Sequence, residues 1–301
     1  SSITARGHNL AMSACSSTIS PAGEFSHRWH GLVGIQGLRK LDDSLDDADN
    51  LAELAAKMKR IHEELLKTSK QLLVVSEQEH QAIISESFAK LNLSNEAKTI
   101  NLFKPQVTDK RIKQVWTTNT QVNFCAKAYP TVPIGHSDAP TLLVLANFLR
   151  NGYLHRVLRE QGGAYGGGAD YNGDIGAFRF YTYRDPRIID TMTDFDGSLK
   201  WLQKNDHEAR TLEEAIIGVI SRIDKPGSPA GEAISTFFST LHGRTPEWRR
   251  DFRQRVTQVT MDDLKRVAAT YLQPKLAHIA VLTSPEKLSS VSSLRLIHKI
   301  L

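Results

Sequence analysis

Leu158-Arg159-Glu160-Gln161-Gly162-Gly163-Ala164-Tyr165-Gly166-Gly167-Gly168-Ala169 is the stretch on which the fold turns. Upstream of it, Ala139 to Arg159 reads as one long helix. Downstream, Ala164–Tyr171 and Gly176–Tyr183 read as a hairpin around Asn172-Gly173, a good turn dipeptide. The glycines therefore sit where a helix hands over to a strand. Glycine there admits a second backbone, because no side chain stands in the way. Arg159 offers five donors in a fixed fork and Tyr165 one phenolic donor. A strand starting near Ala164 puts Tyr165 on its outer side, with Arg159 reaching over from the helix. Two readings stand open. The pair grips an extended peptide and polarises one of its carbonyls, or the stretch is a glycine-softened turn with a solvated Arg and a packed Tyr. A nucleotide site fails on spacing: neither G-x-G-x-x-G nor G-x-x-x-x-G-K-[ST] can be laid over Gly162 to Gly168.

Outward from this junction, the pattern predicts a strand or strand pair over Val115–Tyr129, in which Val122, Phe124 and Ala126 alternate. Helices are expected over Pro186–Lys204, Leu212–Arg222, Pro229–Leu241, Pro246–Val256 and Met261–Tyr271. A strand follows at Ala277–Leu282 and a closing helix at Glu286–Leu301. Toward the N-terminus, helices are expected at His8–Ile19 and Phe25–Leu41, the second loosened by Gly31, Gly34 and Gly37. Leu51–Thr68 is a strongly amphipathic helix, with Leu51, Leu54, Ala55, Met58, Ile61, His62 and Leu65 on one stripe. Leu72–Val75 reads as a short buried strand and Glu79–Leu91 as another helix. The order of elements repeats weakly, with Thr245-Pro246 in the role of Ser20-Pro21 and Ile279–Leu282 matching Leu72–Val75. Residues 1–93 then read as the mostly helical second part of a truncated αβ domain. Residues 94–110 form a polar linker, and 111–301 a complete αβ domain.

The chain has 301 residues, 40% hydrophobic and 24% charged, an ordinary globular composition long enough for two domains. No apolar run reaches eighteen residues, so no membrane partner is expected. The start, Ser1 to Gly7, has neither an initiator Met nor a signal core, and reads as a cut inside a longer protein. Cys15 and Cys125 read as buried free thiols of a reducing compartment. The net charge of +5 is mild. Its densest cluster is Arg244, Arg249, Arg250, Arg253 and Arg255, on a helix opened by Thr245 and Pro246. No recognition motif accompanies it, so no nucleic-acid partner is expected. Asp42, Asp43, Asp46, Asp47 and Asp49 lack calcium-loop spacing.

Arg159 to Ala169, with Phe178-Arg179-Phe180-Tyr181-Thr182-Tyr183-Arg184-Asp185-Pro186, resembles the C-terminal half of the pitrilysin/insulinase zinc metallopeptidases, in particular the presequence-protease branch. The likeness continues through Asp224-Lys225-Pro226 and Leu241 to Thr245, and ends near Val259 to Leu264. It implies an α+β fold of two layers: repeated metallopeptidase-type domains, each a mainly antiparallel sheet with helices on one face. It implies a peptidase acting on short unfolded peptides. It implies Zn2+ bound by an N-terminal half of the same polypeptide, outside this chain, and two donors supplied by the C-terminal half. Arg159 and Tyr165 match those catalytic donors, and Gly162, Gly163, Ala164, Gly166 and Gly167 the peptide-binding frame around them. The inverted zinc motif H-x-x-E-H is not in the chain. Glu79-His80 is preceded by Ser76 where the first ligand belongs, and His62-Glu63 is followed by Leu66 where H-E-x-x-H needs its second His. His27 and His30 lack a third ligand. No metal site is expected, and the chain alone is expected to be inactive. The alternative within the same fold is a non-catalytic domain like the core subunits of respiratory complexes. The resemblance places a bacterial parent protein in the cytoplasm, or a eukaryotic one in an organelle matrix.

Overall fold

The computed structural model describes residues 2–68, 70–90 and 110–301. The described elements run α1 (Ser2–Ser16), α2 (Pro21–His30), α3 (Leu32–Ser44), α4 (Ala48–Leu66), α5 (Gln81–Ala89), β1 (Lys113–Thr117), β2 (Phe124–Pro130) and α6 (Ala139–Leu149). They continue with β3 (Gly166–Asn172), β4 (Ala177–Tyr183), α7 (Ile189–Lys204), α8 (Ala209–Ile223), α9 (Pro229–Leu241), α10 (Pro246–Thr257), α11 (Met261–Tyr271), β5 (His278–Thr283) and β6 (Ile297–Ile300). Residues 2–37, 110–224 and 251–301 form one compact unit, and residues 38–68, 70–90 and 225–250 a second. The linker expected at 94–110 lies, but for Lys110, outside the described residues.

The first unit is α+β. Its sheet has the order β3-β4-β2-β5-β1-β6, antiparallel from β3 to β5 and parallel across β5-β1-β6. β2 is buried on both faces, as a central strand must be when helices cover both sides. Phe124, Ala126 and Ala128 meet Trp116, Ala280 and Leu282 under Leu10, Ala11, Ala14 and Cys15 of α1. Tyr129 turns the other way, edge-on to Phe180, which stacks on Phe195 of α7 at 5.4 Å. On that face Lys127 is buried and its Nζ lies 2.5 Å from the Asp196 carboxylate. Helices therefore cover both faces, where a single helical face was expected. α1 carries enough small and apolar residues to seal the second face.

Local chemistry sets several boundaries. Gly31 divides the helix expected over Phe25–Leu41: its backbone is extended at φ −87°, ψ −171°, and only glycine fits there because a Cβ would collide with the ring and backbone of His27. In the β3–β4 turn, Asn172 Oδ1 accepts the Asp174 amide at 3.0 Å, and Gly176 takes φ +63°. The pentapeptide S-P-A-G-E occurs twice, at Ser20–Glu24 and Ser228–Glu232. Each copy opens a helix in one way: the serine Oγ accepts from Gly23 N at 3.2 Å and from Gly231 N at 3.1 Å, with proline next.

Two expected elements differ. Glu286–Leu301 is not a helix: Pro285–Leu294 winds as a tight 3₁₀ segment, Arg295 stops it at φ +51°, and Ile297–Ile300 becomes β6. The open edge of β1 needs a backbone partner, and β6 supplies it from Gln114↔Ile297 to Thr117↔Ile300. In the second unit, Leu72–Val75 forms no strand and each side chain is 40–50% exposed. A four-residue apolar run does not hold strand geometry without a paired neighbour. The apolar stripe of α4 is likewise exposed, Met58 at 61% and Leu65 at 59%.

Candidate functional site

α6 does not end at Leu149. It continues from Arg150 to Gln161 with the wider i→i+5 winding of a π-helix, which is rare and frequently found at functional sites. The helix closes on glycine: Gly163 takes φ +76°, its amide meets Arg159 O at 3.2 Å, and the Ala164 amide meets Leu158 O at 3.0 Å. Arg159 lies exposed in the last turn, where a cation suits the carbonyl end of the helix. Glu160 turns to His155 at 3.4 Å. No acid among the described residues pairs with Arg159.

Tyr165 is 67% exposed. Its amide donates to Arg184 O at 3.3 Å, and its ring stands edge-on to Tyr183 with centroids 5.7 Å apart. It is the last residue before β3, the outermost strand of the sheet, which among the described residues pairs only with β4. An outer strand presents a row of backbone groups to whatever lies beside it. The two expected donors thus flank one helix-to-strand junction, both on the surface.

The glycines divide by role. A Cβ at Gly162 would run into the Arg187 guanidinium. One at Gly167 would stand 2.8 Å from Leu158 Cδ1 and 2.9 Å from Tyr181 O. Gly162 leaves room for the Arg187 side chain, and Gly167 lets the helix pack closely on the strand. Gly166 has nothing within 4 Å of its Cβ position, so only there does the frame open to an approaching backbone. Ala164 is buried at 2% exposure and supports the turn from inside.

Residues 113–297 match the sequence pattern of the presequence-protease (PreP) C-terminal domain. The chain belongs to the PreP C-terminal domain family. The chain is 33% identical to the mitochondrial presequence protease of Yarrowia lipolytica, over 88% of its length and 27% of that protein. To the mitochondrial presequence protease of Drosophila melanogaster it is 31% identical, over 92% of the chain and 26% of that protein. The chain spans about a quarter of the length of these relatives. A crystal structure of a protease from Helicobacter pylori shares the fold, with a TM-score of 0.57 at 17% identity over 69% of this chain and 53% of that one.

In this PreP C-terminal domain, sequence reasoning missed the residues that brace the junction. Asp185 is fully buried, accepting the Arg187 amide at 2.9 Å and the Thr191 hydroxyl at 2.7 Å. Burial pushes its carboxyl above the ordinary range, and those hydrogen bonds oppose the rise. Asn123 pairs with the Asp185 backbone in both directions at 2.9 Å. Arg187 reaches from there to Asp194 at 3.0 Å. The legible signal was Tyr183-Arg184-Asp185-Pro186, a strand running into proline with an acid that has no partner in the local pattern.

No group among the described residues fits a zinc site. Glu77, Glu79 and His80 form the only described group with ligand atoms within 4.8 Å of one another. All three are exposed and include a single His. The two cysteines are buried, and burial raises the Cys15 thiol to about 12, which suits packing and not ligation. The basic helix α10 is engaged with acids: Arg250 meets Glu247 at 2.8 Å, Arg253 meets Asp224 at 2.8 Å and Arg255 meets Asp251 at 2.9 Å. No described helix is long and apolar enough to cross a membrane.

Proposed function

We infer that this domain works as the C-terminal part of a longer zinc-dependent peptidase that degrades short unfolded peptides. In that protein an N-terminal half of the same polypeptide holds Zn2+. This domain walls the substrate chamber and offers Arg159 and Tyr165 as donors to the bound peptide. The observation that carries the reading is the junction itself: an arginine with no acid partner among the described residues and a two-thirds exposed tyrosine. They flank the entry to an outermost strand that opens at Gly166. Arg159 supplies a charge-assisted donor and Tyr165 a neutral one. Gly163 and Ala164 shape the turn, Gly162 makes room for Arg187, Gly167 lets helix and strand close on each other, and Gly166 receives the substrate backbone. The two-domain division at residues 93 and 111 belongs to this reading, with the first segment completing a domain of the longer protein. The curated relatives named as mitochondrial support an organelle matrix as its place of action.

The second reading is a non-catalytic structural domain of the same fold. The packing roles of Gly162 and Gly167 favour it, because they explain two of the glycines without a substrate. Kinetics of the longer protein separate the two. Tyr165→Phe removes one donor without disturbing packing, and is expected to lower kcat by roughly ten- to a thousandfold with KM changed much less. Arg159→Lys is expected to damage kcat as well, since a point charge does not reproduce a planar fork. Zinc content and Tm should stay near wild type in both. Full kcat in both variants would leave the structural reading.

A further inference from the structure

Only two non-glycine residues among those described take positive φ, Arg295 and Arg184. Arg295 is accounted for as the stop of a tight helical segment before β6. Arg184 has no such role. It follows β4 directly, at φ +50°, a conformation that glycine accepts and a residue bearing a Cβ resists. Its surroundings impose it. Asp185, next in sequence, is locked by Asn123, Thr191 and the Arg187 amide. Backbone geometry alone therefore calls for glycine at position 184, and the arginine side chain must be explained by what it touches.

It touches the candidate site twice. Its carbonyl accepts the Tyr165 amide at 3.3 Å. Its guanidinium lies over the Tyr183 ring, 5.3 Å from the centroid, and that ring meets Tyr165 edge-on. A cation on one face of an aromatic ring is an attractive contact, and the ring's edge then offers Tyr165 a fixed wall. From behind, His8 of α1 stands edge-on to Tyr183 at 4.9 Å, so Tyr183 is held on more than one side. Without this wall, a side chain as exposed as Tyr165 would sample several rotamers.

We propose that Arg184 is a positioning residue: through its carbonyl and through Tyr183 it holds the Tyr165 phenol in one direction. This rests on the reading of Tyr165 as a donor to substrate, and it adds a residue that never meets the peptide. The test uses Arg184→Gly, which keeps the carbonyl and relieves the backbone, and Arg184→Lys, which keeps a cation. In the 301-residue chain with 13C-labelled tyrosine, the Tyr165 ring resonance is assigned by its loss in Tyr165→Phe. Arg184→Gly should move that resonance toward the value of a free tyrosine, with Arg184→Lys in between. Tm of the glycine variant should equal or exceed wild type, because glycine accepts positive φ. In the longer protease, Arg184→Gly should lower kcat roughly tenfold with KM nearly unchanged, and Arg184→Lys should recover part of it. An unmoved Tyr165 resonance overturns the proposal. So does a fall in Tm, which would make the arginine part of the fold's support. A moved resonance with full kcat in both Arg184→Gly and Tyr165→Phe keeps the positioning and overturns the donor reading on which it rests.

Discussion

Leu72-Leu73-Val74-Val75 and Ile279-Ala280-Val281-Leu282 are runs of one kind: four apolar residues, rich in β-branched side chains, preceded by a helix in the chain. The second lies at the centre of the sheet, with β2 antiparallel on one side and β1 parallel on the other. Ala280, Val281 and Leu282 are fully buried. The first is irregular and exposed along its length. Nothing in the four side chains separates them. The difference is that β5 finds two backbones of matching register and apolar cover on both faces. Residues 72–75 have no paired strand among the described residues of their unit. A strand is a property of its neighbours before it is a property of its residues.

Hydrogen exchange is the strongest way to break that comparison. Amides of 279–282 should exchange only by global opening, on the order of 5–15 kcal/mol for a stable domain. Amides of 72–75 should exchange at nearly the rate of an unstructured peptide in the isolated chain. Equal protection in the two runs would mean that 72–75 is paired in solution. Side-chain truncation gives the next largest contrast. Leu282→Ala should cost roughly 2–5 kcal/mol in denaturant unfolding, because the fully buried site is left with a cavity. Leu73→Ala should stay within about 0.5 kcal/mol. A matched cost in the two variants would show that burial does not distinguish the runs.

The smallest effect sharpens the comparison at one side chain. His278 opens β5, 5% exposed, with its Nδ1 toward the Ile112 amide at 3.3 Å and the Thr18 hydroxyl at 3.4 Å. Burial, aided by Arg111, lowers its pKa from 6.5 to about 4. The unfolded chain therefore binds this proton first, and stability from the neutral imidazole is complete above about pH 6.5. It is lost as pH falls toward 4, by up to about 3 kcal/mol. His27, also lowered to about 4 chiefly by burial, adds a loss in the same window. His278→Gln should flatten the stability curve between pH 6.5 and 4 in equilibrium unfolding. An unchanged slope would place its proton affinity elsewhere.

Much of the first unit was legible because its sequence signals are local. The hairpin is written in Asn172-Gly173 and in the alternation of β4. The amphipathic helices are written in their periods, and the zinc motif is visibly missing at Ser76 and Leu66. The Arg159–Tyr165 junction was legible for the same reason, since glycines between a helix period and a strand period mark a handover. Illegible were the features that depend on distant partners. Asp185 reads as a loop acid until Asn123 and Thr191 close on it from elsewhere in the chain. β6 reads as a helix end until the open edge of β1 takes it up.

The sequence by itself determined the α+β class, the family and most helix and strand positions, and it singled out Arg159 and Tyr165 at the glycine junction as the candidate donors. Periodicity, capping and rare residues are short-range properties, and a chain displays them without folding. Only the tertiary structure decided which apolar run becomes a strand and that α1 seals the second face of the sheet. It also decided which glycines pack and which one opens, and that Arg184 stands strained beside Tyr165. Each of these depends on residues brought together from far apart in the chain, and pairing, burial and strain are energies of contact that exist only once that contact is made.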